Sequence, residues 1–571
     1  MAAANQKQLE MNAAAAADDV GFDPSMWKDF FVTYTSPLSQ AGTSSEERMR
    51  ARAERLTEEV RRKMFGDSSK GSTATMSMAK AATLVDTLER LGLDGHFREE
   101  IGTMLGRLCC DEADFAAGSD KYDDLHTVAL RFRLLRQHGL RVSADVFNNF
   151  KDGLGSFSSS LCNDPRGLLS LYNAAHMATP GETTLYDTIV FTTCQLKAMS
   201  IKGELGSPMA EQVARFLDIP LPRFPRRLET MNYLIEYEQD DRHDSMVLEL
   251  SRLDFELVKS IHIKELKALS LWWRDIYNSV KLSYARDRLV ESYYWTCSVF
   301  HEEDDSRARI MFAKVFGFLS LMDDTYDVHA TLEECCRLNE AIQRWDESAV
   351  SILPKYLRMF YIKLLNTFDE LEDNLEPHEK YRVSYTINAF KLSSEYFLRE
   401  AKWSNDNYTP SFTEQLEVSI MSSYPLLTPL VLMGVHDNKG VATAEAFEWA
   451  ATIPDLIIAS GEVARFLNDI ASNKVRKNKK DMSSSVECYM AEHGVDQEVA
   501  IAALAMLVEH AWRRINQSCM EMDPVLQPAA QLVVNMTRAL EVIYLGGRDV
   551  YSFGNDLDGL VTSLFLDPDT L

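Results

Sequence analysis

Apolar residues in this chain recur at three- and four-residue spacing over long stretches, while strand-type alternation closed by tight turns is nearly missing. Leu125, Val128, Ala129, Phe132 and Leu135 form one such set and fall on one face of a 3.6-residue helix. Stripes of this kind are buried by packing helix on helix, so the chain is predicted to be all-α, in many medium helices. Its 571 residues exceed what one hydrophobic core ordinarily supports. The strongest interruption is the proline-rich stretch 219–227, with Pro220, Pro222 and Pro225. It predicts a boundary between two helical domains, 22–235 and 236–571, preceded by a disordered Ala-rich tail over 1–21.

The formal net charge is −26. A chain this acidic repels nucleic acids and anionic membranes, so neither is an expected partner. If its substrate is an anion, bound cations or a local basic cluster must reverse the field at the site. Apolar runs stay short of transmembrane length. The nine cysteines are odd in number and include the adjacent pairs Cys109–Cys110 and Cys335–Cys336, which suits reduced thiols better than a disulfide framework. The first arginine is Arg48, and Asp18 and Asp19 sit where an organelle transit peptide avoids acids. A cytoplasmic location is expected.

The chemistry is concentrated after residue 240. The segment FGFLSLMDDTYDV, 316–328, runs an apolar helix into Asp323, Asp324 and Asp327. On a regular helix Asp323 and Asp327 share a face, with Asp324 at its border. Carboxylates gathered at the end of an apolar run repel one another unless a cation lies between them, and oxygen ligands of this kind suit Mg²⁺. A second apolar helix ends in Arg465, Asn468 and Ser472 at helical spacing, offering an amide oxygen, a hydroxyl and a guanidinium on one stripe. The next position on that stripe is Arg476. Upstream, Arg286 and Arg288 flank Asp287 and suit a diphosphate, although an RxR pair by itself equally describes a surface ion pair. Trp295 follows and offers a π face to a cation or, equally, a packing surface to a core.

DDTYD, RDR followed by a tryptophan, and NDxxS on a later helix together resemble the plant class I terpene synthase family, most closely its cytosolic sesquiterpene branch. The likeness covers nearly the whole chain, through FDPSMWKDFF (22–31), LRFRLLRQHGL (130–140), RGLLSLYNAAHMATPGE (166–182), REAKW (399–403) and SVECYM (485–490) in family order. It implies an N-terminal α-barrel-like domain without catalytic chemistry and a C-terminal α-bundle that holds the active site. Prenyl chain-elongating enzymes, by contrast, carry two aspartate-rich motifs, and class II cyclases carry DxDD, which is missing here.

The same resemblance assigns Asp323 and Asp327, with Asp324 supporting, to two Mg²⁺ ions, and Asn468 and Ser472 to a third, with Mn²⁺ a possible substitute. Arg286, Arg288 and Arg465 would hold the diphosphate. Trp295 would wall the pocket. Tyr544, Asp549 and Tyr551 match a Tyr–Asp–Tyr group that moves protons, and Ser422-Ser423-Tyr424-Pro425 matches a break in a pocket helix. The family's third ligand position in the second motif is Glu, whereas this chain has Arg476, which puts the third metal in question. No arginine pair precedes Trp27, which favours farnesyl over geranyl diphosphate. The expected function is therefore magnesium-dependent ionisation of farnesyl diphosphate and cyclisation of the cation, quenched by proton loss or water, in a monomer or weak dimer. The alternatives are a monoterpene or dual-substrate synthase, a prenyl elongating enzyme, and a catalytically impaired helical scaffold.

Overall fold

The structure is a computed structural model that describes residues 25–36, 43–66, 76–110, 124–153, 155, 157–423, 427–473, 483–552 and 557–566. The expected tail over 1–21, the Tyr424-Pro425 break and Arg476 lie outside these residues. Among the described residues all regular structure is helical, apart from one isolated antiparallel bridge between Lys151 and Phe157.

A first group of helices comprises α1 (Thr43–Phe65), α2 (Met78–Arg90), α3 (Arg98–Cys110), α4 (Leu125–Gln137), α5 (Pro165–Ala175), α6 (Thr183–Lys202), α7 (Met209–Asp218) and α8 (Arg226–Glu238). Leu56, Val85, Leu105, Phe132 and Leu171 share its main core, and Leu168, Leu196 and Phe216 a smaller one. The apolar face of α4 is buried as its periodicity predicts, but so are Arg131, Arg133 and Arg136. Arg131 donates to the Leu108 carbonyl at 2.9 and 2.5 Å. Arg136 reaches the Val142 and Met177 carbonyls and both oxygens of Glu182. A buried guanidinium is tolerated when its donors are met in this way.

The second group begins with the long α9 (Ser245–Val280) and continues through α10 (Leu289–Val299), α11 (Ser306–Asp324), α12 (Leu332–Arg344), α13 (Lys355–Asp373), α14 (Tyr381–Asn405), α15 (Phe412–Ser422), α16 (Thr428–Met433) and α17 (Ala444–Ala451). It closes with α18 (Asp455–Ser472), α19 (Ser485–His493), α20 (Gln497–Glu521), α21 (Gln527–Ile543) and α22 (Asp558–Phe565). Leu266, Phe312, Leu364, Val431, Ile457, Leu504 and Leu540 belong to its single core. The two groups interpenetrate. Leu250 and Leu257 of α9 lie in the first core and Leu266 and Trp273 in the second, while Trp27 and Phe31 pack into the second core from the other end of the chain. The proline-rich stretch is docked rather than loose: Arg223 pairs with Glu509 at 2.5 and 2.7 Å, and the Pro222 carbonyl accepts from Arg538 at 2.9 Å.

One buried ionic net fixes the start of the catalytic region. Arg309 of α11, fully buried, grips both oxygens of Glu265 on α9 at 2.9 Å and donates to the carbonyls of Phe300 and Glu302. The Tyr293 hydroxyl of α10 donates to the same carboxylate at 2.6 Å. Removing one partner leaves a buried charge, a loss of about 3–5 kcal/mol. Arg309→Leu should therefore lower the urea midpoint of unfolding, and the double variant Arg309→Met, Glu265→Gln should recover much of it. An unchanged midpoint in Arg309→Leu would show that the net carries no stability.

Candidate active site

Helix α11 delivers the aspartates. Gly317, one turn and a half before them, is needed for its seat: a Cβ there would stand 2.8 Å from the Trp273 ring of α9. The Trp273 indole donates to Asp287 at 2.8 Å, so Asp287 turns toward α9. After Asp324 the backbone widens into a π-type turn, Thr325–His329, closed by the Ala330 amide on the Thr325 carbonyl at 2.9 Å. The regular α spacing assumed for Asp323 and Asp327 is therefore interrupted between them, a distortion frequent at functional sites. The turn is pinned by Tyr326, whose hydroxyl meets Ser394 of α14 at 2.8 Å, and by Thr325, which meets the Tyr284 hydroxyl at 3.0 Å.

The three carboxylates differ in setting. Asp324 is buried and takes Arg286 on both oxygens, accepting its backbone amide at 2.7 Å, Nε at 3.2 Å and Nη2 at 2.8 Å. Burial pushes its carboxyl up to about 6, against the pull of Arg286. Asp323 is partly exposed and shares the same guanidinium at 2.7 Å. Asp327 is also partly exposed. Arg286 is thus held between the aspartates and Ser552, to whose hydroxyl it donates at 2.9 Å. Burial alone would weaken its proton affinity, but Asp324 and Asp323 raise it well above the ordinary value. Arg288 is buried and donates to the carbonyls of Tyr551 and Ser552, both at 3.0 Å. The RDR pair therefore clasps the chain at 551–552 in addition to bordering the aspartates.

That clasp closes the aromatic wall. Trp295 meets Phe316 at 5.2 Å and Tyr551 at 5.9 Å, and Phe316 meets Tyr551 at 5.9 Å, all edge-on. The Tyr551 hydroxyl is 3.1 Å from Ser292 Oγ. Asp549 folds the approach to this wall, because its Oδ1 accepts the amides of Tyr551 and Ser552 at 3.1 and 3.0 Å.

On α18, Arg465 donates to the Asn468 amide oxygen and pairs with Asp469 at 2.7 Å. The Asn468 amide in turn donates to the Tyr544 hydroxyl at 3.1 Å. Asp469 is buried and accepts the Ser485 amide at 2.7 Å, so it ties α18 to the start of α19. Ser472 ends α18, partly exposed. Arg465 is close enough to Asp323 for that carboxylate to raise its proton affinity, behind the larger effects of burial, Asp469, Glu400 and Tyr544. Asp323, Asp327, Asn468 and Ser472 are all oxygen donors and none is fully buried, which suits a hard divalent cation. The trio of exposed His378 and Asp437 with buried Glu379 is already paired with arginines, since Glu379 pairs with Arg307 and Arg382, and Asp437 also with Arg382.

Helix α15 ends at Ser422, where the predicted break begins. Ser423 donates to the Ile420 carbonyl at 3.0 Å, and Ser422 donates to Glu400 at 2.6 Å. Glu400 lies within REAKW, where one glutamate on a helix gives no signal of burial in the sequence. Asp469 carries a faint signal, standing four residues after Arg465 at the spacing of a helical ion pair.

An all-α bundle that places oxygen donors and arginines at the ends of two apolar helices, beside a wall of rings, has the architecture of a class I terpenoid synthase. The family profiles "Terpene synthase, N-terminal domain" and "Terpene synthase family, metal binding domain" match residues 26–217 and 274–514. The chain belongs to the terpene synthase family. It is 57% identical to an eudesmanediol synthase of Zea mays, over 98% of each chain, and 44% identical to a tau-cadinol synthase of the same plant, over 95% of this chain and 97% of that one. Among solved structures, isoprene synthase from grey poplar in complex with three Mg²⁺ ions and dimethylallyl-S-thiolodiphosphate is similar at a TM-score of 0.82 and 32% identity, covering 91% of this chain and 97% of that one. No described helix is long and apolar enough to cross a membrane.

Glu400 makes the site's surroundings sensitive to pH. Burial pushes its carboxyl up to about 7, against the Ser422 hydrogen bond and Arg465. Because the folded value lies above the unfolded one, the stabilisation from the protonated form is complete below about pH 4.5 and is lost as pH rises through about 7, a swing of about 3 kcal/mol. Glu400→Gln, neutral throughout, should lose less stability than the wild type between pH 5 and pH 8. Glu291, also pushed up to about 7 by burial, leaves a residual slope. Equal slopes in the two proteins would mean that Glu400 does not titrate in this range.

Proposed function

We propose that this chain is a sesquiterpene synthase that ionises farnesyl diphosphate and cyclises the resulting cation. The observation that carries the reading is the full-length 57% identity to eudesmanediol synthases in a chain with Asp323, Arg286, Arg465 and Asn468 beside the Trp295–Phe316–Tyr551 wall. The tau-cadinol synthase similarity points to the same substrate class.

In this mechanism the bond between C1 and the diphosphate oxygen breaks heterolytically, and the electron pair leaves with the diphosphate. Three Mg²⁺ ions, with Mn²⁺ as a substitute, would be held by Asp323, Asp327, Asn468 and Ser472 and would supply charge neutralisation for that leaving group. Arg286 and Arg465 stand ready to bind the departing diphosphate, and Arg288 keeps the 551–552 segment over the pocket. Such preorganised charge costs no reorganisation as the bond breaks. The buried rings of Trp295, Phe316 and Tyr551 exclude water and offer the cation π faces worth about 0.5–2 kcal/mol each. Asp324 acts one step back, positioning Arg286. Quenching is by proton loss or by water. Tyr544, Asp549 and Tyr551 line the C-terminal approach from which a proton would be moved.

Asp323→Ala should reduce kcat/KM for farnesyl diphosphate by about 100-fold or more with the fold intact. The wild type should prefer farnesyl over geranyl and geranylgeranyl diphosphate and release cyclic C15 volatiles with Mg²⁺. Wild-type activity in Asp323→Ala, a preference for geranyl diphosphate, or formation of longer diphosphates would each refute the reading.

A further inference from the structure

A cavity of about 210 Å³ lies away from the catalytic region, between the two helix groups. The ends of α2 and α4, the start of α8 and the facing helices α20 and α21 wall it, and its lining includes His138, Arg226, Gln527, Gln531 and Arg538. None of these residues takes part in the site described above.

Arg538 is the unusual member. It is buried, and its Nε and Nη1 donate to the Pro222 carbonyl at 2.9 Å and the Asn535 amide oxygen at 3.0 Å. No described carboxylate pairs with it, and its Nη2 is left for the cavity that it lines. Burial depresses its proton affinity, bringing its pKa down to about 9, with the charge of Arg226 adding to the effect. Arg226 bonds Asp94 through Nη1 alone. The one carboxylate in the lining, Glu89, is taken by His138 at 2.5 Å. Helix α21 also begins here, so that Gln527, Pro528, Ala530 and Gln531 bring the positive end of a 17-residue helix to the same wall. The opposite wall is close: a Cβ on Gly139, whose φ is +76°, would stand 2.5 Å from Gln527 Nε2. A buried guanidinium without an ion-paired carboxylate is costly, and here Arg226 and a helix N-terminus stand beside it, opposed by Glu89 only at longer range.

We propose that this cavity binds a small phosphate-type oxyanion, inorganic phosphate or diphosphate, on the Arg538 guanidinium. The bound anion would bridge the two helix groups and so tighten their interface. Diphosphate is also the leaving group of the reaction proposed above, but the anion site itself does not depend on that reading.

The test uses the full chain in EDTA, so that metal-dependent binding at the aspartates is silent. Inorganic phosphate, and separately inorganic diphosphate, should raise the wild-type melting temperature by about 2–4 °C at saturation. Arg538→Gln should abolish the rise. Gln531 stands seven residues before Arg538 on the same face of α21, so Gln531→Glu should supply the missing carboxylate. It should raise the melting temperature in anion-free buffer and remove the response to phosphate. Arg286→Gln, in the catalytic region, should respond as the wild type does. A wild-type response in both Arg538→Gln and Gln531→Glu would overturn the proposal. So would a rise reproduced by sodium chloride at equal ionic strength, and Gln531→Glu keeps the test decisive if Arg538→Gln does not fold.

Discussion

The guanidinium of Arg286 is the hinge of the catalytic region. It is held between Asp323 and Asp324 on one side and Ser552 on the other, with its Cζ 5.6 Å from the centre of the Tyr551 ring. Through it the end of α11, the RDR segment and the C-terminal chain become one unit. The aromatic wall is joined to that unit, because Arg286 and Arg288 hold 551–552 where Tyr551 meets Trp295 and Phe316. A buried ion pair of this kind contributes little net stability compared with a well-packed apolar substitute. What it does contribute is a fixed position for the Arg286 guanidinium, whose charge is matched here by Asp323 and Asp324.

In the proposed mechanism the divalent cations, together with the arginines of the site, would reverse the field that a net charge of −26 sets against an anionic substrate. Arg286, Arg288 and Arg465 are interleaved there with Asp323, Asp324 and Asp469. Each is oriented by carboxylates or carbonyls: Asp323 and Asp324 hold Arg286, Asp469 holds Arg465, and the 551–552 carbonyls hold Arg288. Glu400, near Arg465 and bonded to Ser422, links the same region to the end of α15.

Much of this was legible in the residues. The 3.6-residue periodicity of α4 and the apolar runs into Asp323 and Asn468 define helices and their ends, and those elements are present. The burial of Arg131, Arg133 and Arg136 was not legible, since spacing cannot tell a solvated charged face from one whose partners arrive from distant segments such as Leu108 and Glu182. The π-type turn after Asp324 was hidden for a similar reason: Ser394 and Tyr284, which pin it, lie far off in sequence. Nor does local composition reveal that Asp324 faces Arg286 while Asp323 remains partly exposed, or that Glu400 is buried. These are outcomes of packing between helices rather than of any one helix.

The most direct measurement is a crystal structure of this chain with Mg²⁺ and farnesyl thiolodiphosphate. The metal ions should be ligated by Asp323 and Asp327 from α11 and by Asn468 and Ser472 from α18. Asp324 should keep its hold on Arg286, and the diphosphate should lie against Arg286 and Arg465. Metals bound through Asp324 with Asp323 left out, or a diphosphate seated away from both arginines, would contradict the division of labour described for this site.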